Sequence, residues 1–319
     1  MSAFDFKSIC GVLNVHKPEG LTSRQAVTEV EWHLRRLARE AGQKLRRGTV
    51  KVGHAGTLDP LATGVLVVCL GKATRLVPYI QDQPKTYKAE FTLGMRSDSD
   101  DTCGTIEEIP NAPRPSREEI VQALSHFEGT IEQVPPQFSA VHVEGVRAYA
   151  LARRGQEVEL ESRPVNIYQI ELLDYAWPEL SVQVVCGSGT YIRSLARDLG
   201  EQLGCGALMH GLERTAIGSF LLEEAVEIPR IKETNWLESV QPARVAVTNL
   251  PRYTCTLEEQ DWLINGRVIQ TSLPCPETTA EQEIAVYNVA NELVCLAREK
   301  EKTGEQIYLQ PRLVFLKGE

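Results

Sequence analysis

The stretch GHAGTLDPLATGVLVVCL, residues 53–70, joins two segments of different character. Its first twelve residues show neither helical nor strand periodicity, and their glycines and Pro60 are typical of an ordered loop that presents His54, Thr57 and Asp59. The remaining six, Val65–Leu70, are all apolar, which predicts a buried strand. We therefore expect a polar loop of defined shape that leads directly into the core.

Three helices are predicted from their N-terminal capping residues. Two begin at capping boxes, in which Gln or Glu stands three residues after Thr or Ser, and they extend from Thr22 to Gly42 and from Ser116 to Gly129. A third is expected over residues 191–203, with Thr190 as its N-cap and Arg193 in its first turn.

The strand signals alternate irregularly with these helices. Lys85–Leu93 alternates apolar and polar side chains, with Tyr87 on the apolar face, and residues 165–172 read as a strand with a slip in its register. The regular crossover rhythm of doubly wound folds is missing, so we expect an α+β fold with a mixed, largely antiparallel sheet flanked by helices. Beyond about residue 245, four short strand-like pieces predict a small β-rich unit: Arg267–Thr271, Ile284–Val289, Leu293–Ala297 and Ile307–Leu309.

Composition excludes several classes of protein. The net charge is −9 and the longest apolar run has six residues, far below the roughly 18 that a membrane-spanning helix needs. Asp5 and Lys7 interrupt the amino-terminal segment, so we expect no signal peptide and a cytoplasmic protein. The eight cysteines form no C-x-x-C pair and no two histidines stand four residues apart, so neither a metal site nor a disulfide framework is indicated.

One segment opposes the acidic balance of the chain. Between Arg35 and Lys51 there are seven basic residues and a single acidic one, Glu40. This basic strip is a candidate for contact with nucleic-acid phosphates. It is equally consistent with a solvated helix end, where cationic side chains are favoured by the helix dipole.

Asp59 is the reactive candidate of the loop. A residue before proline is driven towards extended geometry, so Asp59 is not expected to cap a helix, and its carboxylate could act as a nucleophile or a base. Taken alone, however, a T-x-D-P sequence is more typical of an Asx-turn before proline.

The loop at 53–64 resembles very closely the catalytic loop of the TruB family of tRNA pseudouridine synthases. Further segments between about residues 9 and 220 resemble the other motifs of that family and occur in the same order: LNVHKP at 13–18 with Gly20, Thr22 and Ser23; KTYKA at 85–89; Asp98, Asp101 and Gly104; PPQFSA at 135–140 with Gly145 and Tyr149; and GTYIRSL at 189–195. The resemblance implies the pseudouridine synthase fold, with a catalytic domain over 1–245 and a PUA-like RNA-binding domain over 246–319.

The resemblance also implies a reaction and roles for particular residues. Asp59 would be the nucleophile that acts on a flipped-out nucleotide, Arg193 would pair with Asp59, and Tyr87 would pack against the target uracil. Conversion of uridine to pseudouridine adds and removes no atoms, so no cofactor is expected. The implied substrate is uridine 55 in the T-loop of tRNA, and the implied state is a monomer.

Four further positions match residues that serve the target nucleotide in that family. His54 would line the site of the flipped-out nucleotide, Tyr191 and Leu212 would contact it, and Lys17 with Pro18 would support the loop from behind. Two departures put some RNA-backbone contacts in doubt, because His142 stands where the family usually has Lys and Glu213 stands where it often has Arg.

Three alternative functions remain open at the level of sequence. The first is a guide-RNA-dependent pseudouridine synthase of the dyskerin type, which is disfavoured by the length of the chain and its lack of a Lys-rich tail. The second is a non-catalytic tRNA-binding or folding module, against which the intact set of Asp59, Tyr87 and Arg193 speaks. The third is a retaining glycosidase, which would need a second carboxylate about 5 Å away.

Overall fold

The predicted buried strand lies in the middle of a large sheet. In this computed structural model, β3 (Thr63–Leu70) has seven of its eight residues buried. It pairs antiparallel with β1 (Gly11–Lys17) and parallel with β12 (Ala207–Ile217). The apolar run is continuous because both faces of β3 are covered.

The structure describes residues 5–139, 142–143, 146–147, 160–233, 235–271, 282–303 and 306–316. Of the motif residues, Ala140, Gly145 and Tyr149 lie outside the described residues. His142 is described by its backbone alone, in the short pair of strands β8 (His142–Val143) and β9 (Val146–Arg147).

The large sheet confirms the expected mixed, largely antiparallel arrangement. Only the β1–β14 and β3–β12 pairs are parallel among its described strands. Its main path runs through β14 (Val226–Glu227), β1, β3, β12, β4 (Lys85–Leu93), β11 (Glu179–Cys186), β10 (Arg163–Ala176) and β7 (Gly129–Gln133). Three short strands pair beside this path, β2 (Val52–His54) with β3, β13 (Phe220–Leu221) with β12, and β15 (Gln241–Pro242) with β1, while β5 (Met95–Ser97) and β6 (Ile106–Glu108) form a separate pair.

Helices cover this sheet at two places. On one face, α1 (Ser23–Glu40) packs on β1 and β3. Farther along the sheet, α3 (Arg117–Ser125) and α4 (Ile192–Gln202) pack on β4, β10 and β11. The shorter helical pieces are α2 (Val77–Gln81) and the 3₁₀ turns Phe6–Ser8, Gly71–Leu76, Leu222–Glu224, Ile228–Lys232, Trp236–Ser239 and Ala243–Val247. No helix in the described ranges is long and apolar enough to cross a membrane.

The local signals for α1, α3 and β10 are confirmed. Both capping boxes are present, and Gly42 adopts a φ of 75° just after α1. The predicted slip in β10 is observed as register shifts against β11. The helix at Ser116 ends earlier than expected, at Ser125, and Gly129 opens β7 instead.

The predicted N-cap of α4 is wrong. The N-cap is Tyr191, and the Thr190 hydroxyl donates to the Gly187 carbonyl at 3.2 Å. Gln133, distant in sequence, takes over the capping role, because its side chain accepts from the Tyr191 amide at 2.8 Å and donates to the Tyr191 carbonyl at 3.0 Å. Such a tertiary cap leaves no signal in the local sequence. Arg193 still lies in the first turn of the helix.

The C-terminal region forms the expected small sheet and one helix that the sequence patterns did not predict. The sheet has the order β16 (Arg252–Thr254), β18 (Glu283–Tyr287), β19 (Leu293–Thr303), β20 (Gln306–Val314) and β17 (Ile269–Thr271). The additional helix is α5 (Leu257–Ile264), which begins at a third capping box, Thr256 with Glu259. Buried residues such as Tyr287 and Leu296 share a core with β1 and β3, so the small sheet packs directly on the large one.

Candidate active site

A cavity of about 360 Å³ opens where five segments of the large sheet and its loops meet. Five of the seven predicted site residues line it, while His54 and Lys17 do not. Its walls consist of Gly56, Thr57, Leu58, Asp59, Gln81, Lys85, Tyr87, Phe138, Ser139, Gly187, Ser188, Gly189, Thr190, Tyr191, Ile192, Arg193, Leu212 and Arg214.

Asp59 and Arg193 form an ion pair in this cavity. The distance between Asp59 Oδ2 and Arg193 Nη2 is 2.9 Å, and the side chain of Asp59 is 39% exposed whereas that of Arg193 is 6% exposed. The carboxylate therefore faces the open space and the guanidinium lies behind it. A charge-assisted hydrogen bond of this length holds the carboxylate in one orientation.

The Arg193 guanidinium has further hydrogen-bond and ion-pair partners besides Asp59. It donates to the carbonyls of Ser99 and Phe138 at 3.3 and 3.1 Å, and it lies 3.6 Å from Asp101 Oδ2. Asp101 is buried and accepts from the Ser99 hydroxyl at 2.6 Å. These contacts leave the Arg193 side chain little freedom to leave Asp59.

The loop that carries Asp59 is held by hydrogen bonds on both sides of this residue. The Ser23 hydroxyl, in the first turn of α1, accepts from the Leu58 amide at 2.8 Å and donates to the Leu58 carbonyl at 2.9 Å. The Gly20 amide donates to the Pro60 carbonyl at 2.8 Å. The Asp59 carbonyl closes a turn with the Ala62 amide, while its carboxylate meets Arg193, so the side chain is available to the cavity.

Lys17 lies behind this loop. Its side chain is fully buried at the end of β1, and its ammonium group donates to the carbonyls of Pro18 and Leu21 at 2.9 and 2.7 Å. Burial lowers the pKa of Lys17 to about 8, with Asp59 opposing the shift and Arg214 adding to it. The lysine thus shapes the 18–21 turn, which in turn holds Pro60.

Three apolar or aromatic side chains stand around the carboxylate. Tyr87 on β4 and Leu212 on β12 come from paired strands, and Tyr191 precedes α4. Burial raises the pKa of both tyrosines, so their phenols are neutral at physiological pH. Together they offer flat and apolar surface to a planar ring.

His54 lies at the side of the cavity, in β2. Burial and the Arg214 guanidinium lower the pKa of His54, so its imidazole is neutral at neutral pH. It stands two residues before Gly56, which lines the cavity.

Sequence reasoning missed the importance of Arg214. This side chain is 1% exposed and donates to the carbonyls of Val65 at 2.8 Å and Gly56 at 3.1 Å, which joins β12 to both ends of the loop that carries Asp59. The signal was available, because Leu212 and Arg214 are two residues apart on one strand and therefore share a face. Lys85 was missed in the same way, two residues before Tyr87 on β4.

Gly64 explains how the chain approaches Arg214 so closely. It has a φ of 102°, and a Cβ atom at this position would lie 2.2 Å from the Arg214 carbonyl oxygen. Only glycine satisfies both conditions.

Among the described residues, no group of three or more His, Cys, Asp or Glu side chains is placed to hold a metal ion.

Comparison with known families agrees with this geometry. A model described as TruB family pseudouridylate synthase (N terminal domain) matches residues 43–192, and one described as tRNA pseudouridylate synthase B C-terminal domain matches residues 193–250. The chain belongs to the TruB family. It is therefore a pseudouridylate synthase, an isomerase.

Relatives match over nearly the whole chain. A protein of Syntrophomonas wolfei is 39% identical over 312 residues, which cover 96% of this chain and 98% of the relative. One of Synechococcus sp. is 43% identical over 313 residues, covering 96% and 97%. Both are named tRNA pseudouridine synthase B.

Two solved structures have the same fold as this chain. A structure titled "Crystal Structure of a Cbf5-Nop10-Gar1 Complex" matches with a TM-score of 0.70 and 26% identity, covering 96% of this chain and 85% of that chain. Another, titled "Structure of H/ACA RNP bound to a substrate RNA containing 2'-deoxyuridine", matches with a TM-score of 0.70 and 24% identity, covering 98% and 86%. The pseudouridine synthase fold expected from the sequence is thus confirmed.

Proposed function

We propose that this enzyme converts uridine 55 in the T-loop of tRNA to pseudouridine, with Asp59 as the nucleophile. The observation that carries the proposal is the cavity-facing Asp59 carboxylate, held 2.9 Å from the buried Arg193 guanidinium beneath an aromatic wall. The name tRNA pseudouridine synthase B, shared by relatives that match over almost the full chain, supports tRNA as the substrate.

The reaction requires an anion next to the sugar. The N1–C1′ bond of uridine breaks, the uracil turns, and a C5–C1′ bond forms, while C5 releases a proton and N1 gains one. Asp59 attacks or stabilises the electron-deficient C1′, as carboxylates do in glycoside-processing enzymes. Arg193 holds this carboxylate in one orientation through a charge-assisted hydrogen bond.

The detached uracil has to stay in the cavity. Tyr87 offers a stacking surface, Leu212 supplies an apolar wall, and Tyr191 closes the side next to α4. These side chains limit rotation to the plane of the ring and keep water from C1′.

The target nucleotide reaches this cavity only after it leaves its stack in the RNA. Extrusion costs a few kcal/mol, which contacts to the shape of the RNA offset. We assign His54 to the flank of the flipped-out nucleotide, because its neutral imidazole is two residues from the cavity wall and can occupy space that the base leaves. Lys17 acts from behind the loop, as a support for Asp59.

Several properties belong to the same proposal. The enzyme acts in the cytoplasm as a monomer, and the isomerisation uses no cofactor and no metal. Residues 1–245 form the catalytic domain, and residues 246–319, which hold the five-stranded sheet, form a PUA-like domain that binds RNA.

The loop of the basic strip contacts phosphate. Substitution of Arg46 and Arg47 by neutral residues is expected to reduce the salt dependence of tRNA binding. An unchanged salt dependence would contradict this contact.

The geometry weighs against two of the alternatives. A retaining glycosidase needs a second carboxylate about 5 Å from the first, and Asp59 is the only carboxylate among the described residues that line the cavity. A non-catalytic binding module has no need for the Asp59–Arg193 pair. The fold is shared with H/ACA complexes, so action with a guide RNA is left for the experiment to decide.

Tritium release tests the proposal directly. An unmodified tRNA transcript that carries C5-tritiated uridine is incubated with the native protein or with Asp59→Ala, without guide RNA, and the modified position is mapped. We expect release from the native protein alone, at one T-loop site. Release at another position would contradict the assignment of uridine 55, and binding of tRNA without release would contradict stand-alone catalysis.

A further inference from the structure

A tryptophan on α1 is exposed to solvent. Trp32 is 52% exposed, although residues on either side of it in the helix, Val30 and Leu34, are completely or almost completely buried. The Arg36 guanidinium carbon lies 5.9 Å from the centre of the Trp32 ring, and the His33 ring meets it edge-on at 4.6 Å. A large exposed aromatic side chain beside a guanidinium group is typical of surfaces that bind a partner.

Arginines share this face of the helix. With 3.6 residues per turn, Arg24, Thr28, Trp32 and Arg39 fall on one side of α1, and all four are exposed. We call these four residues the α1 stripe. At about 1.5 Å per residue, it is roughly 22 Å long. Its two arginines stand at the ends and its aromatic ring lies between them.

The stripe begins at the active site. The first turn of α1 is joined to the catalytic loop through Ser23 and Leu58, and Arg24 is close enough to His54 to help lower its pKa. At the other end, Arg36 donates to the Lys232 carbonyl, and the basic loop with Arg46 and Arg47 follows the helix. In a protein with a net charge of −9, this concentration of cations along α1 and the loop after it is a local reversal of sign.

We propose that the α1 stripe binds the RNA strand that leaves the cavity, with phosphates on Arg24 and Arg39 and one unpaired nucleobase stacked on Trp32. This inference rests on the proposed function, because it takes the nucleotide in the cavity as the origin of the strand. Guanidinium groups bind phosphate and an indole face stacks on any base, so the stripe has the two groups that such a strand requires. An acidic peptide would use the arginines but would have no base to stack on Trp32.

The first test measures tRNA affinity of the full-length protein with Trp32→Ala and Trp32→Phe. Loss of one stacked base is expected to weaken binding about tenfold for Trp32→Ala. Trp32→Phe, which keeps a ring, is expected to stay within about threefold of the native protein. The loss should appear in KM rather than in kcat, because Trp32 does not touch the reacting atoms. The control is Val121→Ala, which removes an exposed apolar side chain from α3.

The second test measures how binding depends on salt. Arg24→Gln with Arg39→Gln removes two phosphate contacts, which is expected to reduce the slope of log K against log salt by roughly 1.5. Arg117→Gln, in the acidic first turn of α3, is the charge control and should leave the slope unchanged. This pair of substitutions leaves Trp32 in place, so it still tests the stripe if Trp32→Ala impairs folding.

The outcomes separate the inference from the proposed function. If the native protein forms pseudouridine in tRNA while Trp32→Ala binds as tightly as native and the double arginine variant keeps its salt slope, the stripe is ordinary surface and the inference is wrong. An equal loss in Trp32→Ala and Trp32→Phe overturns the stacking contact. If the native protein binds tRNA but forms no pseudouridine, the proposed function fails instead.

Discussion

The cavity has two walls that each depend on one buried arginine, and the two arginines have different partners. Arg193, on α4, lies against the carboxylates of Asp59 and Asp101 at 2.9 and 3.6 Å. Arg214, on β12, is 1% exposed and donates to the backbone carbonyls of Val65 and Gly56. The first arginine pairs with two carboxylates, whereas the second bonds to backbone carbonyls and to the Tyr87 side chain.

This difference shows in the groups around each arginine. Arg214 helps to lower the pKa of Lys17 and of Lys85, which burial brings to about 8 in both cases. It also acts on His54 in the same direction. One wall thus orients a reactive anion, and the other joins strands at the cost of a local excess of positive charge.

The largest effect is expected from Asp59→Asn, which removes the carboxylate charge that faces Arg193. Without the nucleophile, pseudouridine formation in single-turnover assays should fall at least about 10⁴-fold. The variant should still fold and bind tRNA, because Arg193 retains Asp101. Asp174→Asn, an exposed substitution on β10, serves as the control. Substantial activity in Asp59→Asn would show that another group reacts at C1′.

Arg193→Met tests the cavity wall in which the arginine pairs with carboxylates. It leaves Asp59 and Asp101 without their cation, and removal of one partner of a buried ion pair costs about 3–5 kcal/mol of the free energy of unfolding. Turnover should be lost as well, since Asp59 loses its orientation. Urea unfolding followed by tryptophan fluorescence measures the first effect. A change below about 1 kcal/mol would contradict the view that the pair organises this wall.

The pH dependence of the free energy of unfolding tests the cavity wall that contains Arg214. Because burial lowers the pKa of Lys17 from 10.5 to about 8, the unfolded chain binds more protons than the folded one between these values. Stability should therefore gain up to about 3 kcal/mol from this lysine as the pH rises from about 8 to 10.5.

In Lys17→Met that contribution disappears and the slope over the same pH range should decrease, with Lys85 supplying what remains. Unfolding is measured in urea at several pH values for both proteins. The control is Lys7→Met, which changes an exposed lysine. Parallel curves for native protein and Lys17→Met would rule out a lowered pKa.

We expect Arg214→Met to lower the free energy of unfolding less than Arg193→Met does. The difference between the two variants compares the two walls directly. Two carbonyls lose a donor, at about 1–3 kcal/mol each, but the removal of a buried cation relieves Lys17 and Lys85. The net loss should be about 2 kcal/mol, together with a rise in the pKa of both lysines, which NMR of ¹³C-labelled lysine can follow. Arg75→Met, on the surface, should change stability by less than about 0.5 kcal/mol.

The smallest effect concerns the cap of α4, which positions Arg193. Gln133→Ala removes both bonds to Tyr191 and should cost about 1 kcal/mol, as the loss of an N-cap does. Thr190→Val should cost less than Gln133→Ala, because the Thr190 hydroxyl bonds to the Gly187 carbonyl and to the Cys186 side chain, both of which precede the helix. Thermal unfolding of both variants decides between them. The reverse order would mean that Thr190 caps the helix after all.

Much of the fold was predictable because its signals are local. Capping boxes place the starts of α1 and α3, alternation places β4, and the apolar run at 65–70 places β3. α5 was missed although it has its own capping box, because eight residues are too few to show a helical period among strand-like neighbours.

The local sequence pattern indicated Asp59 as the candidate nucleophile and predicted most of the elements that carry the site. The loop at 53–64, its glycines and its Asp-Pro step are consecutive, so their pattern can be read without knowledge of the fold. The pairing of Asp59 with Arg193 was implied by the resemblance, and the structure gives its distance of 2.9 Å. The bonds of Gln133 to Tyr191, the bonds of Arg214 to Val65 and Gly56, and the exposure of the α1 stripe come from the tertiary structure. Each of these depends on which strands pair and which faces are covered, and burial changes the charge state and the partners of a side chain in ways that its neighbours in sequence do not reveal.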